Sequence, residues 1–174
     1  MDGTAATARP GRVVALDLGS KRIGVACTDP TQMLASPYEV LLRTGSRAGD
    51  HRNIRRLVVE DCEAVRVIVG LPIGLNGELG RAAKLITDEV DVLRTVLPVP
   101  VELFDERFTT TTAHANLMER NMKADARRRV VDKIAAAVLL QAWLDGAPRR
   151  AVNAVNAVTA VNAVNSAGTP GETR

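Results

Sequence analysis

Apolar and polar positions divide the middle of the chain into strand-like and helix-like stretches. Short apolar runs bounded by turn residues predict strands at 13–18, 22–28, 38–43, 65–70 and 99–104. Apolar residues spaced every three or four positions predict helices at 50–62, 80–96 and about 130–144. A short helix at 111–120 is expected after threonines that can cap its start. The order of these elements predicts an α/β fold with a five-stranded mixed sheet flanked by helices.

The connections between these elements predict the strand directions. Strands 13–18 and 22–28 are separated by a turn too short for a crossover, so we expect them to pair antiparallel. A third strand continues this meander, and each of the last two strands is reached through a helix, which places the first strand centrally. The helical spacing also predicts that Leu85 and Val131 face inward.

The two ends of the chain differ from the middle. Residues 1–10 are expected to form a flexible leader, and one domain is expected over 11–148. The tail, 149–174, repeats Ala-Val-Asn with a period of three, which matches neither a helix nor a strand. We therefore expect the tail to be a disordered, low-complexity extension.

Composition narrows the class of protein. The 174 residues are 46% hydrophobic but include only four Phe, Tyr or Trp residues, which predicts an aliphatic core and argues against a stacking platform for single strands. A net charge of +3 would favour a polyanionic partner, but ordinary variation in surface charge explains it equally well. Cys27 and Cys62 lack zinc-site spacing and are expected to be reduced, partly buried thiols, with a disulfide as the alternative. His51 and His114 are isolated and are expected at the surface or at caps. No membrane span or signal peptide is evident, which predicts a cytoplasmic protein.

Carboxylates at the ends of predicted elements are the candidate catalytic groups. Asp17 interrupts the first apolar strand, Asp105 and Glu106 follow the fifth, and Asp132 opens the last helix. Singly, each has an ordinary explanation. Asp17 and Asp105 could cap the turns that follow them, and Glu106 could pair with Arg107. Asp132 could be a favourable charge at a helix start. Together they could converge beside the central strand, where their repulsion favours divalent cations. Oxygen ligands without His or Cys predict two Mg²⁺ or Mn²⁺ ions, a pair suited to phosphodiester hydrolysis.

Basic residues accompany these carboxylates along the chain. They are expected to contact phosphates on either side of the scissile bond. A solvated polar loop is the alternative explanation for the basic segment before Asp132. The candidates are Lys21, Arg22, Arg107, Arg120, Lys123, Arg127, Arg128 and Arg129.

Four ordered motifs resemble the YqgF/RuvX family. They are DLGSKRIGVA at 17–26, GLP at 70–72 with NG at 76–77, DERFTT at 105–110 and VDKIAA at 131–136. The resemblance implies an RNase H-like fold and a metal-dependent nuclease, described for the family as processing the precursor of small-subunit ribosomal RNA or resolving Holliday junctions. It also implies catalytic and metal-binding roles for Asp17, Glu106 and Asp132, with Asp105 as a less certain ligand. The leader and the tail lie outside the family pattern.

Two other functions are compatible with parts of this pattern. An ATP-binding domain of the actin or sugar-kinase type also uses an Asp-x-Gly hairpin, but such proteins clasp ATP between two domains and need a longer chain. A non-catalytic nucleic-acid-binding module would keep the fold, yet it would retain three repelling carboxylates at a cost in stability. A hydrolase acting on a structured RNA precursor or a four-way DNA junction is therefore favoured, and a symmetric junction would suit a homodimer.

Overall fold

The computed structural model describes residues 11–74, 77–109 and 124–146. The predicted leader, the Asn76 turn position, the predicted helix at 111–120 and the Ala-Val-Asn tail therefore lie outside the described residues.

Within these described ranges, five strands form one mixed sheet in the order β3-β2-β1-β4-β5. They are β1 (Arg12–Leu18), β2 (Arg22–Thr28), β3 (Ala35–Leu42), β4 (Ala64–Leu71) and β5 (Val101–Asp105). β1 is central, pairing antiparallel with β2 and parallel with β4, and β5 extends the parallel side. This sheet confirms the predicted α/β fold with a five-stranded mixed sheet, including the antiparallel meander and the two late strands reached through helices.

In the described part of the chain, three α-helices flank the sheet: α1 (Arg47–Arg56), α2 (Arg81–Val96) and α3 (Ala124–Leu144). α1 begins earlier than the predicted residue 50 because the Ser46 side chain accepts a hydrogen bond from the Gly49 amide, and it continues into a π-helical turn, Leu57–Asp61. α3 begins at Ala124 rather than near 130, because its polar and basic first turns carry no apolar periodicity. Among the described helices, none is long and apolar enough to cross a membrane.

Each face of the sheet has its own apolar core. α1 and α2 cover the face that contains Val14 and Leu16. α3 covers the face that contains Val13 and Ala15. Successive side chains of a strand point to opposite faces, so Asp17 continues the series on the α3 side. Cys27 and Cys62 are free thiols in the first core, and both are more completely buried than predicted.

Three further local predictions were wrong. β3 begins at Ala35 rather than 38 and runs through Pro37, which this edge strand accommodates at a register shift opposite Val25 and Ala26. Leu85 is 53% exposed, because α2 turns the side of Ala83, Val90 and Leu93 to the core. Val131 is 41% exposed, because the side of α3 that faces the sheet carries Ala136, Leu139, Leu140 and Trp143.

Candidate active site

Asp17 lies near the carboxyl end of the central strand. Its neighbour β4 runs parallel, and β5 runs parallel to β4, so all three strands end at the same edge of the sheet. Across the antiparallel pair, Asp17 is the register partner of Gly24 on β2. A side chain on the α3 face at this edge can therefore meet groups from the ends of β4 and β5 and from α3.

Asp132 approaches Asp17 from α3, and Gly24 makes the approach possible. A Cβ atom added to Gly24 would overlap the main-chain carbonyl oxygen of Asp132, so α3 rests directly on the β2 backbone at this position. The Asp132 side chain is held by Arg22, whose Nε donates to Oδ2 at 2.6 Å. Asp132 lies well inside α3 rather than at its start, so a favourable charge at the helix N-terminus does not explain it.

Glu106 follows β5 directly, in a short 3₁₀ turn (Glu106–Phe108). Its side chain lies over Gly70 near the end of β4, where an added Cβ would be 2.5 Å from Glu106 Oε1. Burial of the side chain is the larger cause, and the negative charges of Asp17 and Asp105 the smaller ones, that raise the pKa of Glu106 to about 7. The structure thus brings Glu106 and Asp17 into one electrostatic environment rich in negative charge.

Asp105 is engaged by Arg107. Asp105 is 2% exposed, and its carboxylate accepts from the Arg107 amide at 2.9 Å and from Arg107 Nη2 at 2.6 Å. The suggested pairing of Glu106 with Arg107 is therefore wrong: the arginine pairs with Asp105 instead. Asp105 also caps the 3₁₀ turn that carries Glu106, as a turn-capping role would require.

The predicted phosphate contacts have different surroundings. Lys21 is exposed in the β1–β2 turn, whereas Arg22 and Arg107 are engaged by Asp132 and Asp105. Arg128 and Arg129 are exposed on α3, so the predicted basic loop is helical from Ala124 onward. Outside the described part of the chain lie Arg120, Lys123 and the side chain of Arg127.

The donor chemistry of this site fits a hard divalent cation. Asp17, Glu106 and Asp132 supply carboxylate oxygens, the ligands that Mg²⁺ and Mn²⁺ prefer. Over residues 11–74, 77–109 and 124–146, however, no group of three or more Asp, Glu, His or Cys side chains is already gathered closely enough to hold a metal. Asp132 is turned to Arg22, and Glu106 is crowded by like charge, so positive charge at this edge would relieve a repulsion that the fold maintains.

A buried charged cluster beside the site was not foreseen from the sequence. His51, expected at the surface or at a cap, is 3% exposed and lies 3.3 Å from Glu89 through Nε2 and Oε1. Arg43 Nη1 donates to Glu89 Oε1 at 2.6 Å and to Asp50 Oδ2 at 3.2 Å. Arg43 directly follows β3, and the other residues lie on α1 and α2; no motif or spacing in the sequence connects them.

Comparison with known sequences gives one family and several curated relatives. The family model described as "RuvX: Holliday junction resolvase" matches residues 11–146. Proteins provisionally named as pre-16S rRNA nucleases are similar over most of the chain. The one from Rhodococcus erythropolis is 49% identical over 142 residues, 80% of each chain. That of Roseiflexus is 40% identical over 139 residues, 80% of this chain and 97% of the relative. That of Mycobacterium tuberculosis is 43% identical over 136 residues, 78% and 79% of the two chains.

Solved structures with a similar chain trace include two resolvases. RuvC of T. thermophilus in complex with a Holliday junction substrate has a TM-score of 0.48 at 16% identity, covering 76% of this chain and 94% of that one. The yeast mitochondrial Holliday junction resolvase Ydc2 has a TM-score of 0.45 at 13% identity, covering 78% of each chain.

Proposed function

Because the chain belongs to the RuvX family of Holliday junction resolvases, we propose that it is a nuclease that hydrolyses phosphodiester bonds in structured nucleic acid, with Asp17, Glu106 and Asp132 as its catalytic carboxylates. The observation that supports the residue assignment is that these three residues lie toward the same edge of the sheet, on β1, just after β5 and on α3. Glu106 has a pKa of about 7, partly through the charge of Asp17, and Asp132 rests on the register partner of Asp17.

The three carboxylates would hold Mg²⁺ or Mn²⁺. When bound, such ions supply an activated water and stabilise the charge of the leaving oxygen. The protein contributes the framework: β1 fixes Asp17, the 3₁₀ turn fixes Glu106, and α3 fixes Asp132. Arg22 Nε donates to the Asp132 carboxylate, and its positive charge favours the ionised form of that group.

Lys21, Arg128 and Arg129 would contact the nucleic-acid backbone. Lys21 is exposed in the turn that follows Asp17, and Arg128 lies one helical turn before Asp132, on the same side of α3. Such cations bind phosphates without reading the sequence, so we propose a substrate recognised by its shape. Arg22 and Arg107 are already held by carboxylates and would reach phosphates only by exchanging partners.

A precursor of 16S rRNA and a four-way DNA junction are the two substrates to compare, because the curated relatives are named for the first and the family model for the second. Action on ribosomal RNA precursors would agree with the expected cytoplasmic location. Symmetric cleavage of a junction would require two active sites, and hence the homodimer suggested by the sequence analysis.

Cleavage of both substrates by the purified full chain tests this proposal. The reactions contain Mg²⁺, Mn²⁺ or EDTA, and Asp17→Asn and Asp132→Asn are compared with Asp91→Asn, which removes an exposed carboxylate that pairs with Arg94. We expect cleavage only with metal, a loss of about 10²-fold or more in both site variants, and normal activity in the control. Binding without cleavage by the wild type, with the site variants binding equally, would establish the non-catalytic binding module instead.

A further inference from the structure

The turn between β1 and β2 joins Asp17 to Arg22, the residue whose side chain binds Asp132. Asp17 precedes residues 19–21, and Arg22, which holds Asp132, follows them. The turn is tight: the Gly19 amide donates to the Asp17 carbonyl at 3.0 Å, and an added Cβ on Gly19 would be 2.5 Å from the Arg22 carbonyl oxygen. Any change in this turn would therefore alter the spacing between Asp17 and Asp132.

Arg43, the residue that directly follows β3, contacts this turn at two points. Its main-chain amide donates to the Lys21 carbonyl at 3.0 Å, and its side-chain Nε donates to the Gly19 carbonyl at 3.0 Å. The first bond belongs to the backbone and survives any substitution except proline. The second depends on a guanidinium in this position and orientation.

The guanidinium is fixed from its other side by two carboxylates. Glu89 accepts from Nη1 at 2.6 Å and from Nη2 at 3.0 Å, while Asp50 accepts from Nη1 at 3.2 Å. Burial alone would raise the pKa of Glu89, but hydrogen bonds and charge from Arg43 outweigh it and lower that pKa. Asp50 is itself held by the Thr44 amide at 2.7 Å. The clamp is thus built on α1 and α2, which pack into the first core.

We propose that Arg43 is a positioning residue, whose guanidinium is clamped by Glu89 and Asp50 and holds the 19–21 turn so that Asp17 and Asp132 keep their catalytic spacing. The inference rests on the nuclease proposed above. A lysine has the same charge but offers a flexible ammonium group in place of the planar fork, so it cannot bond Glu89 in two places and also reach the Gly19 carbonyl. Small misplacements of catalytic groups can reduce turnover by about a hundredfold for 1 Å.

Arg43→Lys tests the inference, with Arg94→Lys as its matched control. Arg94 also donates through Nε to a main-chain carbonyl, that of Val101 at 3.1 Å, and through Nη1 to a carboxylate. Val101 begins β5, at the opposite end of the sheet from the site. Both variants are measured at a temperature where they are fully folded. We expect Arg43→Lys to lower kcat about tenfold with KM changed less than about twofold, and Arg94→Lys to keep the kcat of the wild type.

Hydrogen exchange separates this inference from the proposed function. Amides of the 19–21 turn should exchange about tenfold faster in Arg43→Lys than in Arg94→Lys, whether or not the wild type cleaves nucleic acid. If Arg43→Lys fails to fold, Glu89→Gln loosens the same clamp without touching the turn and should change kcat and exchange in the same direction. Turn exchange and kcat equal to those of the Arg94 control would overturn the inference. Absence of cleavage by the wild type would overturn the proposed nuclease function instead.

Discussion

Replacing Glu106 with Gln should stabilise the metal-free protein above neutral pH. The folded structure raises the pKa of Glu106 from 4.5 to about 7, through burial and the charges of Asp17 and Asp105. The folded state therefore binds more protons than the unfolded state between these two values, so wild-type stability falls as pH rises through this window. Above about pH 7 the buried charge opposes folding fully, and Gln removes it.

The magnitude follows from the same values. A rise from 4.5 to about 7 corresponds to about 3 kcal/mol, at about 1.4 kcal/mol for each pKa unit. Glu106 is partly exposed, so solvent screening reduces the expected effect to about 1–2 kcal/mol. The Glu106→Gln variant should exceed the wild type by this amount near pH 8.5, and the difference should shrink toward zero near pH 4.5.

Urea unfolding in EDTA over this pH range measures the difference. EDTA is needed because a bound divalent cation would hold the Glu106 carboxylate in its charged form. Glu60→Gln, on the exposed surface, controls for the loss of one negative charge. A stability difference that does not change with pH, or a wild type more stable than Glu106→Gln at pH 8.5, would refute the crowding of Glu106 by Asp17 and Asp105. Excess Mg²⁺ should reverse the order, because the cation stabilises the wild type more.

Three further substitutions test the contacts that shape the site. Gly24→Ala should cost about 1–3 kcal/mol in unfolding experiments and abolish cleavage, since the added methyl group forces α3 away from β2. Gly70→Ala should cost about 1 kcal/mol or less but reduce kcat about tenfold or more, because only the flexible end of Glu106 must move. Arg107→Met should lower the urea midpoint at neutral pH, since it leaves the buried Asp105 carboxylate without its cationic partner.

Matched substitutions show whether these effects are specific. Gly80→Ala places a methyl group where nothing lies within 4 Å, so both its stability and its turnover should resemble those of the wild type. Arg56→Met breaks an exposed ion pair with Asp61 and should shift the urea midpoint less than Arg107→Met does. Equal shifts for the two arginine variants, or wild-type turnover in Gly70→Ala, would contradict the contacts described for Asp105 and Glu106.

The order and direction of the strands were predictable because they depend on local pattern and connection length. The 22–28 run follows the first strand after a short turn, which allows only an antiparallel pair. Boundaries were less predictable where polar residues continue an element. α3 extends back to Ala124 through a basic stretch without apolar periodicity, and β3 extends back through Pro37 at the sheet edge.

The site was predictable only as a set of residue types, because its geometry depends on contacts distant in sequence. Nothing local to Arg22 predicts its bond to Asp132, 110 residues away, and nothing local to Arg43 predicts Glu89. The buried His51 shows the same difficulty: an isolated histidine indicates a surface position until the helix that buries it is known.

Gly24 shows why the motif residues and the carboxylates belong to one structural unit. Glycine in a strand interior weakens the strand, so its position at the register partner of Asp17 needs a reason. The Asp132 carbonyl against its Cα supplies that reason: any side chain there would move α3, and with it Asp132, away from Asp17. Gly70 on β4 leaves room in a similar way for the side chain of Glu106, although there only the flexible end of that side chain would have to move. The two glycines thus set how closely the carboxylates of Asp132 and Glu106 approach the sheet. Replacing either glycine with alanine would change that distance although it leaves every charge in place.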